Sequence, residues 1–445
     1  MVEATPSRIG TKFTVRILIV AYYFPPLNHI ASLRPYSWAR RWSENGAQIT
    51  VLTAQKRGFD GLLDDLTVLP ANVTVLEVPY HGPKVWLRKI LGLGKARAVL
   101  ADLYRDYLAK GRGSISWFSG WQTASKKYLK DLALSHDVVV STFGPKECHL
   151  IAAEIKKANP KLLWVSDYRD LWLESHTIHR NKRTLLDERR LEQESVGAHS
   201  NIITTVSSEL MRKLNSRFSK PIHKIMNGFF LKEANLAEPG APRRLSKSGP
   251  LKIVYTGTLY KQFRDPTPLL SVLFTVFQRN EISSNDIVLE VYSESFDFLS
   301  HLSRVSEYSK FILNKGSVKR SEALDAQRNA DILLLLESSD EEANGVLTGK
   351  VFEYLVSGRP VLCLGSRPNF ELGTLLRDTG TGVVFGPNEL KNLPDYICAS
   401  LKGQGIFSDF KPVKEEILKY SRENSADLLF SIIIEHLSES IYGSS

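Results

Sequence analysis

The run Gly345-Val-Leu-Thr-Gly-Lys-Val-Phe-Glu-Tyr-Leu-Val-Ser-Gly-Arg-Pro360 sets a lysine and a glutamate three positions apart behind a glycine-containing turn. If that turn, at Thr348-Gly349, opens a helix, unpaired backbone N–H groups and the positive end of the helix dipole converge there and form an anion site. Lys350 then supplies a cation for phosphate. Glu353, one turn on, can accept hydrogen bonds from two ribose hydroxyls. Together these residues make a grip for a nucleoside diphosphate; the plainer reading is a surface helix with an ordinary lysine and glutamate.

A second cluster is Ile253-Val-Tyr-Thr-Gly-Thr-Leu-Tyr-Lys-Gln-Phe-Arg264. An apolar strand runs into Gly257 and Thr258, and the missing glycine side chain lets a ligand approach the backbone. Lys261 and Arg264 follow. Two cations at a strand end suit a leaving diphosphate, on which negative charge develops, although a glycine turn with solvated bases has the same spelling. In the first half, His149 follows the strand-like Asp137–Ser141 run and Gly144-Pro145, at a helix start. It is either an imidazole for sugar or acceptor or a histidine satisfying a helix end. Asp167-Tyr-Arg-Asp170 has two carboxylates but not the spacing of a D-x-D metal pair; Arg169 and Asp170 read equally as a cleft-lining pair or a structural one.

These residues all fall at the end of an expected strand or the start of the helix after it. Strand signals are Val15–Ala21, Gln48–Thr53, Val73–Val78, Asp137–Ser141, Leu162–Ser166 and Asn201–Val206, with helical patterns at Ser32–Asn45 and up to Lys157. Continuous Val/Ile/Leu runs between helices predict a parallel sheet covered on both faces. Residues 231–249 are polar and rich in Pro and Gly, as a linker would be. The alternation then restarts with strands at Lys252–Tyr255, Ile287–Tyr292, Ile332–Leu336 and Pro360–Leu364, and helices at Pro266–Phe277, Arg320–Asn329 and Val346–Val356. The expectation is an α/β chain of two Rossmann-like, doubly wound domains, 1–230 and 250–445, facing a cleft, with the last helix able to pack back on the first domain.

Length, 445 residues, agrees with two domains. Cys148, Cys363 and Cys398 are scattered and lack C-x-x-C spacing, so neither a disulfide framework nor a structural zinc site is expected. No other metal cluster is evident, and a reducing, cytoplasmic setting fits. No apolar run approaches the roughly 20 residues of a membrane-spanning helix. The net charge of +10 is uneven: residues 1–230 hold 34 Lys+Arg against 20 Asp+Glu, the rest 24 against 28. All seven tryptophans lie between Trp38 and Trp172. Either the first half meets an anionic partner or its basic surface only aids solubility. Lys84–Arg97 carries five bases among Trp86, Leu87, Ile90, Leu91 and Leu93, the composition of an interfacial helix. Trp117, Phe118 and Trp121 are possible further anchors, while Gly92 and Gly94 favour ordinary core packing instead. A peripheral contact with an anionic membrane is expected, and no nucleic-acid partner. A dehydrogenase is not expected, because neither half has G-x-G-x-x-G after its first strand.

The segments TGTLYKQFRDP and TGKVFEYLVSGRPVL, with RILIVAYYFPP, SLRPYSWARRW and ITVLT near the start, resemble family-four glycosyltransferases of the GT-B fold. The resemblance is greatest to bacterial members that build surface polysaccharide and lipid-linked glycans. Ser166–Trp172, Thr205-Val-Ser207 and Met226-Asn-Gly228 are similar to the family pattern too. It implies a nucleotide-sugar donor on the second domain, a glycan or lipid-linked acceptor on the first, and a retaining transfer that needs no metal or other cofactor. Glu353 would match the ribose-binding Glu, Lys261 the phosphate-binding base, and Gly316-Ser-Val318 the loop around the nucleobase. Two departures stand out. Gly345 replaces a Glu that contacts the donor sugar in the broad family, though relatives with a TGK turn also lack it. Pro26-Leu-Asn28-His29 replaces a glycine-rich loop, which puts Asn28 and His29 on the acceptor side. A nucleotide-sugar epimerase of the same fold, or a non-catalytic nucleotide-sugar-binding subunit, are the alternatives.

Overall fold

The computed structural model describes residues 14–56, 69–80, 118–173, 182–236, 249–259 and 264–442. The chain divides into two compact units. The first holds the described residues up to Val206, Leu210–Ile225 and the described residues from Ala426 onward; the second holds Ser207–Glu209 and Met226–Ser425.

The first unit is built on seven parallel strands: β1 (Arg16–Val20), β2 (Gln48–Ala54), β3 (Val73–Val78), β4 (Val138–Thr142), β5 (Leu163–Tyr168), β6 (Ile202–Thr205) and β7 (Ile222–Lys224). Their order is β3-β2-β1-β4-β5-β6-β7. Strands β4, β5 and β6 are buried throughout, as the unbroken apolar runs require of a sheet covered on both faces. Helix α1 (Ile30–Glu44) is capped at its start by His29, whose Nδ1 accepts the Ala31 N–H at 3.1 Å. It ends at Asn45, and Gly46 follows at φ +91, the left-handed position expected just past a helix. Trp38 and Trp42 stack on one face of it with ring centroids 5.6 Å apart, and both are fully buried. Helix α2 (Glu147–Ala158) packs beside β4.

The second unit has six parallel strands, β8 (Leu251–Thr256), β9 (Ile287–Tyr292), β10 (Ile312–Asn314), β11 (Ile332–Leu336), β12 (Val361–Leu364) and β13 (Gly382–Phe385), in the order β10-β9-β8-β11-β12-β13. Helix α3 (Thr267–Gln278) starts where Asp265 Oδ1 accepts both the N–H and the hydroxyl of Thr267, so the Asp-Pro dipeptide works as a helix-starting device. Helix α4 (Arg320–Arg328), helix α5 (Gly349–Leu355) and helix α6 (Arg422–Tyr442) complete the parts used below. From Ala426 on, α6 belongs to the first unit: Trp42 Nε1 donates to Ala426 O at 2.8 Å and Arg41 forms a two-pronged pair with Asp427.

The expectation of two doubly wound α/β units is met. Strands β7, β10 and β13 were not foreseen; all three lie at or near sheet edges and two have only three residues. Helix α5 begins at Gly349, not Val346, and is only seven residues long. The opening of the expected linker is ordered within the second unit, where Glu233 accepts both prongs of Arg320; residues 237–248 lie outside the described residues. No helix among the described residues is long and apolar enough to cross a membrane.

Candidate functional site

In an open parallel sheet, ligands bind beyond the carboxyl ends of the strands where the strand order reverses. In the second unit that point lies between β8 and β11. Gly257 follows β8 there, and Glu337 follows β11. Gly257 has φ +118, and a Cβ on it would stand 2.5 Å from Lys350 Cε. The glycine thus serves two ends: a backbone angle that L side chains rarely adopt, and room for the lysine to lie against the strand end.

Lys350 is laid across Tyr255, with its Nζ 4.5 Å from the ring centroid and donating to the phenol oxygen at 2.7 Å. The phenol in turn donates to Thr258 O at 2.8 Å. Burial and the Arg264 cation push the Lys350 amine down to about 7, against the opposing pull of Glu337 and Glu353. Glu337 is 13% exposed, and burial raises its pKa against the pull of Arg264, Lys350 and Thr348. Its Oε1 accepts the Thr348 hydroxyl at 3.1 Å and its Oε2 lies 3.8 Å from Arg264 Nε.

Glu353 sits one turn along α5. Arg320 Nη2 donates to its Oε1 at 3.1 Å and Gln327 Nε2 to its Oε2 at 3.3 Å. Arg320 is itself fixed by Glu233, and the Gln327 amide also donates to Thr256 Oγ1 at 3.0 Å. A carboxylate has about four lone-pair positions, so these two donors leave Glu353 with acceptor capacity. The Gly316–Val318 loop leads directly into Arg320; Gly316 takes φ +73 there. Thus Gly257, Thr258, Arg264, Thr348, Gly349, Lys350 and Glu353 gather at the strand ends of one sheet. Lys261 lies outside the described residues. Glu337, Tyr255, Arg320 and Gln327 join them without having been foreseen. A carboxylate closing the Leu333–Leu336 run was the available signal for Glu337, hidden by the acidic stretch after it.

Gly345 is explained by its surroundings. It has φ +81, and a Cβ there would stand 2.6 Å from Glu209 Cβ and 2.9 Å from Ser207 Oγ. No side chain fits that position without displacing its neighbours.

In the first unit the order reverses between β1 and β4. Arg169, just past β5, donates to Ala31 O and Gly144 O, both at 3.1 Å, and lies over the Tyr23 ring at 5.2 Å. His29 stacks on the other partner of that group, with its ring 4.6 Å from Tyr23. Partial loss of water around the ring, stacked on Tyr23, and the nearby Arg169 cation lower its pKa to about 4, although the residue as a whole is exposed. Asp170 is largely exposed and 3.7 Å from Arg169 Nε; Asn28 is partly buried beside His29.

His149 requires a correction. It is fully buried, with Nδ1 bonded to Ser141 Oγ at 2.8 Å and with Phe143, Trp164, Tyr168 and Trp172 around its ring. Burial drives its pKa down to about 3, so the ring is neutral, and its Nε2 is buried without a hydrogen-bond partner; as placed, the imidazole lies in the core and not on a surface open to substrate. Trp121 is corrected as well: it is fully buried against Tyr22 and cannot anchor in a membrane as placed. Phe118 packs on the same Tyr22 ring. The segment 84–97 and Trp117 lie outside the described residues. Among the described residues no three His, Cys, Asp or Glu side chains gather as a metal-ligand set.

No protein-family model matches the chain, and no curated protein matches it. Solved structures do. Sucrose-phosphate synthase from Thermosynechococcus elongatus superposes with a TM-score of 0.61 at 12% identity, over 97% of this chain and all of that one. WaaG, a glycosyltransferase involved in lipopolysaccharide biosynthesis, gives 0.56 at 12% identity, over 93% and 99%. An E. coli trehalose-6-phosphate protein bound with UDP-2-fluoro glucose gives 0.60 at 12% identity, over 94% and 98%. The chain has the GT-B fold. At these identities the likeness of this GT-B chain to its neighbours is one of architecture.

Proposed function

We propose that this GT-B protein is a glycosyltransferase that moves a sugar from a nucleotide-sugar donor to a glycan or lipid-linked acceptor, with retention of anomeric configuration and without a metal ion. The observation that carries the reading is the meeting of Lys350, Arg264 and Glu353 at the strand-order reversal of the second unit. The neighbour captured with UDP-2-fluoro glucose supports a nucleotide sugar as donor. Retention, metal independence and the surface-polysaccharide or glycolipid setting rest on the TGTLYKQFRDP and TGKVFEYLVSGRPVL resemblance alone.

In this mechanism Glu353 accepts the ribose hydroxyls on the lone pairs that Arg320 and Gln327 leave open. Lys350 and Arg264 face the diphosphate, and the resemblance adds Lys261 as a further base for it. As the bond from the sugar's anomeric carbon to the phosphate oxygen breaks, the electron pair stays on that oxygen. The cations stabilise it more strongly than they stabilise the bound donor, which is the condition for acceleration. The acceptor hydroxyl bonds to the anomeric carbon and its proton passes to the departing phosphate. On the acceptor side the candidates are Asn28, His29, Arg169 and Asp170. His29 is held neutral near pH 7.

The test is a panel of UDP-, GDP-, ADP- and TDP-sugars incubated with lipid-linked and soluble acceptors, in excess chelator, with products read by mass spectrometry. A transferred sugar together with free nucleoside diphosphate is the expected result, and NMR of the new linkage should assign a retained configuration. Isomerised donor without transfer would replace the reading with an epimerase, and activity that returns only with added divalent cation would remove metal independence.

A further inference from the structure

One partly buried carboxylate at this site has no part in the scheme above. Glu337 occupies the first position after β11, at the strand-order reversal, and its N–H donates to Leu364 O at 3.0 Å. Its two oxygens face different elements: one accepts the hydroxyl of Thr348, the other lies 3.8 Å from Arg264. Thr348 is the residue immediately before α5, where a threonine usually turns its hydroxyl back on the helix's own N–H groups. Here it makes no such cap, and the hydroxyl goes to Glu337 instead.

We propose that Glu337 is a positioning residue of the donor site: it ties the turn carrying Lys350 to the Arg264 guanidinium and keeps the two cations together and charged for the diphosphate. This rests on the donor-site reading given above. Two like charges brought close in a partly buried place repel and shed a proton from the weaker base unless a carboxylate is set between them. Among the described residues, the charged and titratable groups around Lys350 are Tyr255 from β8, Arg264 before α3, Glu337 after β11 and Glu353 on its own helix. Burial and Arg264 lower the amine to about 7, and Glu337 and Glu353 raise it. Glu353 is shared with Arg320 and Gln327. Glu337, bonded to the turn before Lys350 and set against Arg264, is the carboxylate placed to hold up the share of this lysine that stays protonated near neutral pH.

The sign follows directly. Removing the charge at 337 lowers the Lys350 midpoint, so the amine is neutral over more of the neutral range and anion affinity is lost first at high pH. Glu337→Gln keeps an acceptor for Thr348 and removes only the charge. Thr348→Val does the reverse.

The experiment uses the full chain, reductively methylated with 13C-formaldehyde, the Lys350 resonance being assigned by its absence in Lys350→Arg. Its midpoint is titrated in the free protein, and UDP, GDP and ADP affinities are measured at pH 6.5 and 8.5. Glu337→Gln should lower the midpoint by about one unit and enlarge the affinity loss between the two pH values by roughly threefold. Glu337→Asp should restore most of both. Thr348→Val should weaken nucleotide binding with the midpoint unmoved, and it carries the test if Glu337→Gln does not fold. The variants are compared in the same buffers, so ionisation of the nucleotide cancels. A Lys350 midpoint equal in Glu337→Gln and the parent overturns the proposal, even where nucleotide binds. A lowered midpoint in a protein that binds no nucleoside diphosphate removes the donor-site reading and leaves the Glu337–Lys350 coupling standing.

Discussion

Glu353 makes its contacts in the ligand-free protein to one cation and one amide, and this shapes what its loss should do. Glu353→Ala removes hydrogen bonds to charged oxygen worth roughly 1.5–3 kcal/mol each. Nucleotide-sugar affinity, measured by calorimetry, should fall by at least about tenfold while the circular dichroism spectrum is kept. Equal affinity in the variant would end its assignment to the ribose. His149 has the opposite character. Its pKa, pushed down to about 3, lies below that of a histidine in the unfolded chain. The unfolded state therefore binds the extra proton as pH drops below about 6.5, and stability is lost with acid at up to about 1.4 kcal/mol per pH unit. Urea denaturation at pH 7 and pH 5 should show the parent losing about 2 kcal/mol more than His149→Gln, with turnover at pH 7.5 retained by the variant. An acid slope unchanged by the substitution, or turnover abolished in a folded variant, would contradict the burial of this ring.

At the level of the elements, Gly345 gives the sharpest test. Gly345→Glu would restore the carboxylate of the broader family pattern. It should add no donor affinity and should destabilise the protein by more than about 1 kcal/mol, since a left-handed φ and contacts under 3 Å both oppose a side chain. A folded variant with higher turnover would show that the turn can rearrange. The sequence made the strands Ile287–Tyr292 and Ile332–Leu336 readable to the residue, the first by its alternating Ile, Leu and Val and the second because an unbroken apolar run between helices has few other uses. Short strands such as β10, Ile-Leu-Asn, carry too little pattern to be seen. The donor-site residues Lys350 and Glu353 were legible because they share one local motif. Their partners were not: Tyr255 and Arg320 lie 95 and 33 residues from the side chains they touch. The surroundings of His149 were not legible, because its sequence position shows a helix start but not the four aromatic rings around it.

For the whole molecule, the excess of 14 positive charges in residues 1–230 keeps an anionic membrane surface as the expected partner. Full-length protein should co-sediment with vesicles containing anionic lipid at low salt, release as salt rises, and bind less when Lys84, Arg88 and Lys89 are changed to Glu. Absence of binding by the parent at low salt would direct attention to a soluble acceptor. The last helix invites a different measurement. Trp42 is fully buried and stacked between Trp38 and Phe430, whereas Arg41 and Asp427 each keep more than a third of their side chains exposed. Trp42→Ala should therefore cost about 3–5 kcal/mol and Asp427→Ala only about 0.2–1 in chemical denaturation. Because α6 supplies Ala426, Asp427 and Phe430 to a unit whose other residues end at Ile225, that unit is finished by chain made some 200 residues later. At about 5–20 residues per second, a ribosome needs on the order of 10–40 seconds to cover that interval. Throughout it, the tryptophan face of α1 waits in the nascent protein as an open apolar surface, a place for a chaperone to hold until translation delivers the missing helix.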